Sequence, residues 1–354
     1  MKRNWRLSRS LSDKTMTVAE PSVNLPKATM WRSCRKVLFV IGVSILSTAQ
    51  ALTSDTPWTR QNAPSSCKNH RDPIWLHQSS TSLHETTVAL QWMDFHRPSS
   101  TSETPVLLLH GLLGSKRNFA SLAVSLGHQL EKERRIIGVD LRNHGDSDHS
   151  PDMSYTSMSR DVLEFMNAQG LSKAILVGHS MGGKVAQALS LLHPERVDGL
   201  VVLDIAPVKY SSADSHWKAV EDIMHTMNSV RDASSKSVLD KHLRASIPDP
   251  NLRAFVLTNY DVRQKGWKIP VATICEQLDC IAGFDVMGHT SRSYDGDVFI
   301  INGGQSRFVR HAHMDRIAEL FPNHMLTTIR GAGHWVHAEA PDDTIALLKR
   351  YLDR

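Results

Sequence analysis

The stretch "KAILVGHSMGGKVAQAL", Lys173 to Leu189, sets an apolar run directly before a cluster of small residues that surrounds Ser180. Its first half is a continuous apolar run of strand length, and its second half carries apolar residues at helical spacing. Between them, "GHSMG" matches the pattern G-x-S-x-G, in which a serine occupies a sharp turn from a strand into a helix. The stretch therefore predicts a strand, a tight turn that presents a hydroxyl, and a helix.

The same alternation of strand and helix extends on both sides of this stretch. Short runs rich in Val, Ile and Leu recur, as in "PVLLLHG", "RIIGVD", "GLVVLDIAP" and "DVFIING", and amphipathic segments separate them. Continuous apolar strands separated by helices are typical of a mostly parallel sheet with helices on both faces. The sequence therefore predicts an α/β fold built on such a central sheet.

The alternation is interrupted in the second half of the chain. Across 209–295 the apolar residues recur at helical spacing without a convincing strand, which predicts an all-helical cap inserted into the fold. The α/β core is accordingly predicted over 83–208 and 296–354. Cys275 and Cys280, within the insertion, are expected on one helix rather than in a disulfide framework.

The first 82 residues differ in composition from the core. Residues 1–52 are predicted to be a targeting leader, because the apolar run in 37–51 follows basic residues and ends in a small-x-small pattern. Three interpretations stay open: a secretory signal peptide used from Met30, the front of a bipartite plastid presequence, and a mitochondrial presequence that begins at Met1. Residues 53–82, rich in Ser, Thr, Pro and Asn, are predicted to be a processed or disordered linker.

Charge and composition exclude several classes of function. The formal net charge of +5 arises largely in the leader, and the later domain has no basic run with interleaved aromatics, so no nucleic-acid partner is predicted. The 19 histidines and 4 cysteines show no spacing typical of a metal site, so neither a metal nor another cofactor is predicted. The sequence makes no prediction about the oligomeric state.

The candidate nucleophile and base lie near the ends of two predicted strands. Ser180 is the predicted nucleophile, and the elbow glycines Gly178 and Gly182 allow its strand and helix to approach closely. The motif "RGAGHWVHAEAP" places His334 just after the last strand, where it is the predicted base. His337, three residues further on, is expected to be a surface or supporting residue.

A second glycine motif supplies candidate donors for an oxyanion. The run "LLLHGLLGS" ends a predicted strand with His-Gly, where this architecture turns a backbone N–H toward the site. The backbone N–H groups of Leu112 and Met181 are therefore predicted to form an oxyanion hole. His179, next to the nucleophile, is expected to be a packing residue.

The candidate acid does not lie in its usual position for serine hydrolases of this architecture, because the turn after "VFIING" contains no carboxylate. Asp204 is predicted instead, since it ends the strand "VVLD" at the edge where ligands gather in open α/β sheets. The order Ser180, Asp204, His334 also follows the chain order of that architecture. Asp140 is expected to organise its own loop, and the less favoured alternatives are Asp279, Asp285 and Glu276.

These motifs resemble the alpha/beta-hydrolase superfamily, and more closely the group of alpha/beta hydrolase domain-containing protein eleven and its small bacterial esterase relatives. The resemblance runs from Val106 to Pro341 and includes "DLRNHGDSDHSPDMSY", "VGHSMGGKVA" and "INGGQSRFV". It implies hydrolysis of esters, thioesters or acylglycerols, and a mitochondrial location in the animal members. In the bacterial relatives the acid lies in the "LDIAP" strand, which favours Asp204, and a serine at the position of Ser306 is shared.

Three functions stay open at this point. The motifs favour a serine esterase or acyl-thioesterase that acts on a small-molecule substrate through an acyl-enzyme intermediate. A lipase would need an apolar cap face for peripheral membrane contact, which a helix with Trp217, Ile223 and Met224 is able to provide unless these residues pack onto the core. A ligand-binding or scaffold protein of this fold with weak activity is the third hypothesis.

Overall fold

The computed structural model describes residues 87–230, 233, 235–288 and 293–354. The predicted leader and linker, residues 1–82, lie outside these ranges. Among the described helices, none combines the length and the hydropathy that a membrane span requires.

Nine strands are present in the described residues, and seven of them form the central sheet in the spatial order β1-β3-β2-β4-β5-β8-β9. Neighbouring strands of this sheet are parallel except β1 and β3, which are antiparallel. The bounds are β1 Trp92–His96, β2 Val106–Leu109, β3 Ile136–Val139, β4 Ala174–His179, β5 Val197–Leu203, β6 Tyr260–Asp261, β7 Gly266–Trp267, β8 Val298–Gly303 and β9 His324–Ile329.

Helices surround the sheet and also occupy much of the described chain between β5 and β8. Their bounds are α1 Ala120–Gln129, α2 Tyr155–Ala168, α3 Met181–Leu192, α4 Ser215–Ser229, α5 Lys236–Leu243, α6 Pro250–Val256, α7 Val271–Glu276, α8 Leu278–Ala282, α9 Met314–Leu320, α10 Val336–Glu339 and α11 Pro341–Leu352. Short 3₁₀ turns occupy Lys116–Phe119, Pro194–Arg196, Leu257–Asn259, Asp285–Gly288 and His311–His313.

The central strands are apolar throughout because both faces of the sheet are covered. In β2 every residue is buried, and alternate side chains enter different cores. Leu107 and Leu109 pack in the core that contains Val185 of α3. Val106 and Leu108 pack in the core on the other face of the sheet, which contains Leu122 of α1. Side chains of a strand alternate between faces, so a strand that is covered on both sides needs an unbroken apolar run. The predicted α/β fold is confirmed.

The insertion, defined here as the chain between β5 and β8, departs from the sequence prediction in two details. It contains α4 to α8 but also an antiparallel ribbon in which Tyr260 pairs with Trp267, so the expectation of helices alone was wrong. Strands of two residues are too short to show a period of two, and the sequence pattern could not reveal them. Cys275 and Cys280, both free, lie on α7 and α8, because one helix ends and the next begins at Gln277.

The apolar residues of α4 face the interior of the protein. Trp217, Met224 and Met227 are buried, and the opposite side of the helix carries the exposed ion pair between Lys218 and Asp222. Ile223 is half-buried against the same core. Helix α4 therefore presents no broad apolar face to solvent.

Candidate active site

Ser180 lies at the turn between β4 and α3, in a backbone conformation that non-glycine residues rarely adopt. Its φ is 50° and its ψ is −119°, a combination that is sterically costly for a residue with a Cβ atom. The two flanking glycines make the turn feasible. A Cβ atom on Gly178 would lie 2.3 Å from the carbonyl oxygen of Gly182, and one on Gly182 would lie 2.3 Å from that of Leu109. The crossing of β4, α3 and β2 thus leaves no room for side chains at either glycine.

The side chains of Ser180, His334 and Asp204 form one hydrogen-bonded line. The Nδ1 atom of His334 lies 2.7 Å from Oδ2 of Asp204, and its Nε2 atom lies 3.0 Å from Oγ of Ser180. Because a carboxylate only accepts hydrogen bonds, the proton of a neutral imidazole belongs on Nδ1. Nε2 is then left as the acceptor for the serine hydroxyl, which is the arrangement a general base needs.

Asp204 follows the end of β5 and is completely buried, with a φ of 55°. Three donors satisfy its carboxylate: the backbone N–H of Gly303 bonds Oδ1 at 3.0 Å, while the hydroxyl of Ser306 and the imidazole of His334 both bond Oδ2. Gly303 and Ser306 lie at the start and end of the turn after β8 that has no carboxylate. This turn therefore supplies hydrogen-bond donors to an acid on the neighbouring strand.

Ser306 was missed as a site residue by reasoning from spacing alone. A serine in a polar turn after a strand is common, and its position relative to Asp204, 102 residues earlier, depends on how β5 and β8 pair. The available signal was the serine shared with the bacterial relatives.

His179 and His337 lie behind the imidazole of His334. The Nε2–H of His179 donates to the carbonyl oxygen of His334 at 2.9 Å, and the His337 ring packs between the rings of His179 and Phe119, at 4.6 and 4.8 Å. His337 is buried, so of the two expected roles, a surface or a supporting residue, the structure agrees with the supporting one. Burial lowers the pKa of His337 to about 3 and holds the pKa of His179 well below its usual value. Both rings are therefore neutral at pH 7.

The two predicted oxyanion donors belong to segments that flank Ser180. Met181 is the first residue of α3, and the first N–H groups of a helix have no partner within it. On the other side, a Cβ atom on Gly111, which precedes Leu112, would lie 3.2 Å from Cβ of Ser180. Both backbone polar groups of the next residue, Leu113, are hydrogen-bonded: its N–H donates to Nε2 of His144, and its carbonyl accepts from the side-chain amide of Asn259.

The alternative acidic residues lie elsewhere. Asp140 accepts hydrogen bonds from the backbone N–H groups of Lys116 and Asp146 and binds the ammonium of Lys116, so it organises its own loop as expected. The other three have exposed side chains, and Asp279 pairs with Lys209 at 2.8 Å. The described residues also contain no group of three or more His, Cys, Asp or Glu side chains placed to hold a metal ion.

Comparison with known proteins identifies the family. A model of the alpha/beta hydrolase fold matches residues 104–230. The sn-1-specific diacylglycerol lipase ABHD11 of Mus musculus is 38% identical over 253 residues, which cover 70% of this chain and 80% of that protein. The chain belongs to the alpha/beta hydrolase family. The resemblance inferred from the sequence motifs is thereby confirmed.

Other members of the alpha/beta hydrolase family match over a similar range. Esterase YbfF of Escherichia coli strain K12 is 34% identical over 254 residues, covering 71% of this chain and 94% of that protein. Among solved structures, a marine microorganism esterase superposes with a TM-score of 0.70 at 31% identity, covering 75% of this chain and all of the other. These similarities link the sequence and the fold of this hydrolase to proteins named as esterases.

Proposed function

We propose that this alpha/beta hydrolase cleaves carboxylic ester or acyl-thioester bonds, with Ser180 as nucleophile, His334 as general base and Asp204 as the acid that orients it. The observation that carries the proposal is the continuous line from Ser180 Oγ through the His334 ring to the buried carboxylate, with separations of 3.0 and 2.7 Å. The esterases and lipases among the relatives support the same chemistry.

Acylation begins when Ser180 Oγ attacks the acyl carbonyl carbon and Nε2 of His334 accepts the hydroxyl proton. Asp204 keeps the remaining proton on Nδ1 and stabilises the imidazolium that forms. The N–H groups of Leu112 and Met181 stabilise the negative oxygen of the tetrahedral intermediate. The imidazolium then protonates the departing alkoxide or thiolate, which leaves an acyl group on Ser180.

Deacylation repeats these steps with water as the nucleophile. His334 removes a proton from the water as its oxygen attacks the acyl carbonyl, and the same two N–H groups stabilise the second intermediate. Collapse of that intermediate breaks the bond to Oγ, and the imidazolium returns the proton to Ser180. The products are a carboxylic acid and the free enzyme.

The test is active-site labelling combined with turnover measurements. A fluorophosphonate probe should label the folded wild-type protein at Ser180, and Ser180→Ala should lose both labelling and activity, with turnover falling by about 10⁶-fold. His334→Ala should lower turnover to a similar extent, and the control Ser121→Ala, at an exposed position on α1, should not change it. Labelling that persists in Ser180→Ala, or turnover that is unaffected by it, would exclude the mechanism. p-Nitrophenyl esters and acyl-CoAs of graded chain length serve as substrates.

Acylglycerol hydrolysis is a second candidate, because several vertebrate relatives are named sn-1-specific diacylglycerol lipases. The inward packing of Trp217 and Met224 does not supply the apolar cap face that interfacial binding would need. Activity toward a soluble short-chain ester should be measured as its concentration passes through the micellar range. A sharp rise at that point favours the lipase, whereas smooth saturation favours the esterase.

A further inference from the structure

A cavity of about 200 Å³ lies beside the candidate active site, between the start of α4 and the segment that follows the turn after β8. Its lining includes Phe308, whose ring is 4.2 Å from the ring of His334. Complete pockets for drug-sized ligands usually measure about 300–1,000 Å³. The cavity therefore fits one end of a substrate rather than a whole one.

Three consecutive residues connect this cavity to the catalytic candidates. Ser306 donates its hydroxyl proton to Asp204, Arg307 lines the cavity, and Phe308 both lines the cavity and packs against His334. The cavity and the His334 imidazole therefore lie against the same Phe308 ring. Substrates that fill it would be positioned relative to Ser180 by the same segment that orients the imidazole.

Two arginines line the cavity, and only one of them forms an ion pair within the described residues. Arg310 is paired with Asp214 at 2.9 Å, so these two lining residues neutralise each other. For Arg307 the described part of the chain offers no carboxylate within ion-pair distance. A guanidinium presents several N–H donors in a plane and binds carboxylates and phosphates in a bidentate way.

His216 adds a neutral donor to the same wall. Burial lowers the pKa of His216 and the charge of Arg307 lowers it further, while the carboxylates of Asp204 and Asp214 act in the opposite direction. The net shift is downward, so the neutral imidazole predominates at pH 7. Its Nδ1 atom lies 3.3 Å from Oγ of Ser215, and when that hydroxyl donates to Nδ1 the ring proton lies on Nε2, where it is able to donate to a ligand. The rings of Trp217 and Phe308 complete an apolar wall beside these polar groups.

We propose that this cavity is a subsite for an anionic group of the substrate, a carboxylate or a phosphate, with Arg307 as its principal ligand. The inference rests on the proposed ester or thioester hydrolysis and specifies its substrates. The anionic group has two alternative sources: a second carboxylate on the acyl part, or a phosphate on the leaving group of a thioester.

A binding experiment tests the subsite without requiring turnover. Adipate and coenzyme A are titrated separately into the full-length Ser180→Ala protein and followed by calorimetry. At least one of them should bind, and adding Arg307→Gln should weaken binding by about tenfold or more, the usual effect of removing a charge-assisted hydrogen bond. The matched control is Arg350→Gln, on the exposed side of α11, which should leave binding unchanged. No binding of either probe, or equal binding with and without Arg307, overturns the proposal.

Paired substrates then identify the source of the anionic group. Monomethyl adipate is compared with methyl hexanoate, and butyryl-CoA with the butyryl thioester of N-acetylcysteamine, which lacks phosphate. Arg307→Gln should lower kcat/KM for the anionic member of one pair by about tenfold, mainly through KM, while kcat/KM for the neutral member should change by less than about twofold.

Equal effects on both members of each pair overturn the subsite but leave the proposed function intact. Failure of the wild type to hydrolyse any of the four substrates counts against the proposed function, and the calorimetric result then decides the subsite alone.

Discussion

The hydroxyl of Ser306 and the imidazole of His334 bind the same carboxylate oxygen, Oδ2 of Asp204. Ser306 belongs to the turn after β8, where serine hydrolases of this architecture usually carry the acid, and Asp204 follows β5. These strands are parallel neighbours, so the ends of both point to the same edge of the sheet. An acid that follows one strand is therefore able to bind the histidine while a donor that follows the neighbouring strand supports the acid.

Removal of the Ser306 hydroxyl should impair catalysis without unfolding the protein. In Ser306→Ala the Asp204 carboxylate loses one of its three donors, and a hydrogen bond to a charged group contributes about 1.5–3 kcal/mol. We expect kcat for p-nitrophenyl butyrate to fall by about tenfold with little change in KM. Ser306→Thr, which keeps a hydroxyl, should retain most of the activity. Wild-type kcat in Ser306→Ala would show that the hydroxyl does not help to orient the acid.

Gly182 should not tolerate a methyl group. A Cβ atom at this position would meet the backbone carbonyl of Leu109, which cannot move without distorting β2. Overpacking of this kind typically costs about 1–3 kcal/mol, and we expect Gly182→Ala to lose at least that much in urea unfolding. Gly331→Ala is the matched control, because a Cβ atom there meets no atom within 4 Å. Similar urea midpoints for the two variants would contradict the close approach of β2 and α3 at Gly182.

Lys184 should be essential for the stability of the insertion. It lies on α3, almost fully buried, and its ammonium donates to the carbonyl oxygens of Val208, Ala282 and Gly283, at both ends of the inserted segment. Burial holds the pKa of Lys184 well below its usual value, whereas the three carbonyl oxygens and the face of the Tyr210 ring favour the charged form.

The substitution Lys184→Met fills a similar volume but removes the donor of the Val208 and Gly283 carbonyl groups, whereas the Ala282 carbonyl still accepts from the backbone N–H of Tyr210. Buried polar groups without partners cost about 1–3 kcal/mol each, and we expect a net loss of about 2–4 kcal/mol in the free energy of unfolding. Lys218→Met removes an exposed i,i+4 ion pair and should cost less than about 0.5 kcal/mol. A Lys184→Met protein as stable as the Lys218→Met control would mean that the carbonyl groups find other partners.

His337 should make the protein less stable in acid. The pKa of an unfolded histidine is about 6.5, and that of His337 is about 3, so the unfolded chain binds more protons between these values. The stabilisation is complete above pH 6.5 and is lost as the pH falls toward 3. Since one pKa unit corresponds to about 1.4 kcal/mol, His337 alone should account for a loss of about 2–3 kcal/mol between pH 6.5 and 4.5.

The measurement is urea unfolding of the wild type and of His337→Leu at pH 7.5 and 4.5. The variant lacks the titrating group. The fall in its free energy of unfolding between pH 7.5 and 4.5 should therefore be smaller than that of the wild type by about 2–3 kcal/mol. The absolute stability of the variant at either pH does not enter the comparison. Parallel losses in the two proteins would show that His337 is able to take up a proton in the folded state.

Local sequence determined the fold class and the position of the serine turn. Alternation of apolar runs with helical spacing follows from covering a parallel sheet on both faces, and G-x-S-x-G around Ser180 describes a turn whose requirements are met within five residues. Membership of the alpha/beta hydrolase family follows from these same strings. Such features depend on neighbours in the chain, and they can therefore be recognised without coordinates.

Other features were decided only by the tertiary structure, because their partners are distant in sequence. Asp204 lies beside His334 while Asp279 faces solvent, and the hydroxyl of Ser306 reaches the acid only because β5 pairs with β8. The burial of His337 and the three carbonyl partners of Lys184 likewise depend on how separate segments pack. The type of a residue and its spacing in the sequence indicate what it is able to bind. Its burial and its actual partner are set by contacts that exist only once the chain has folded.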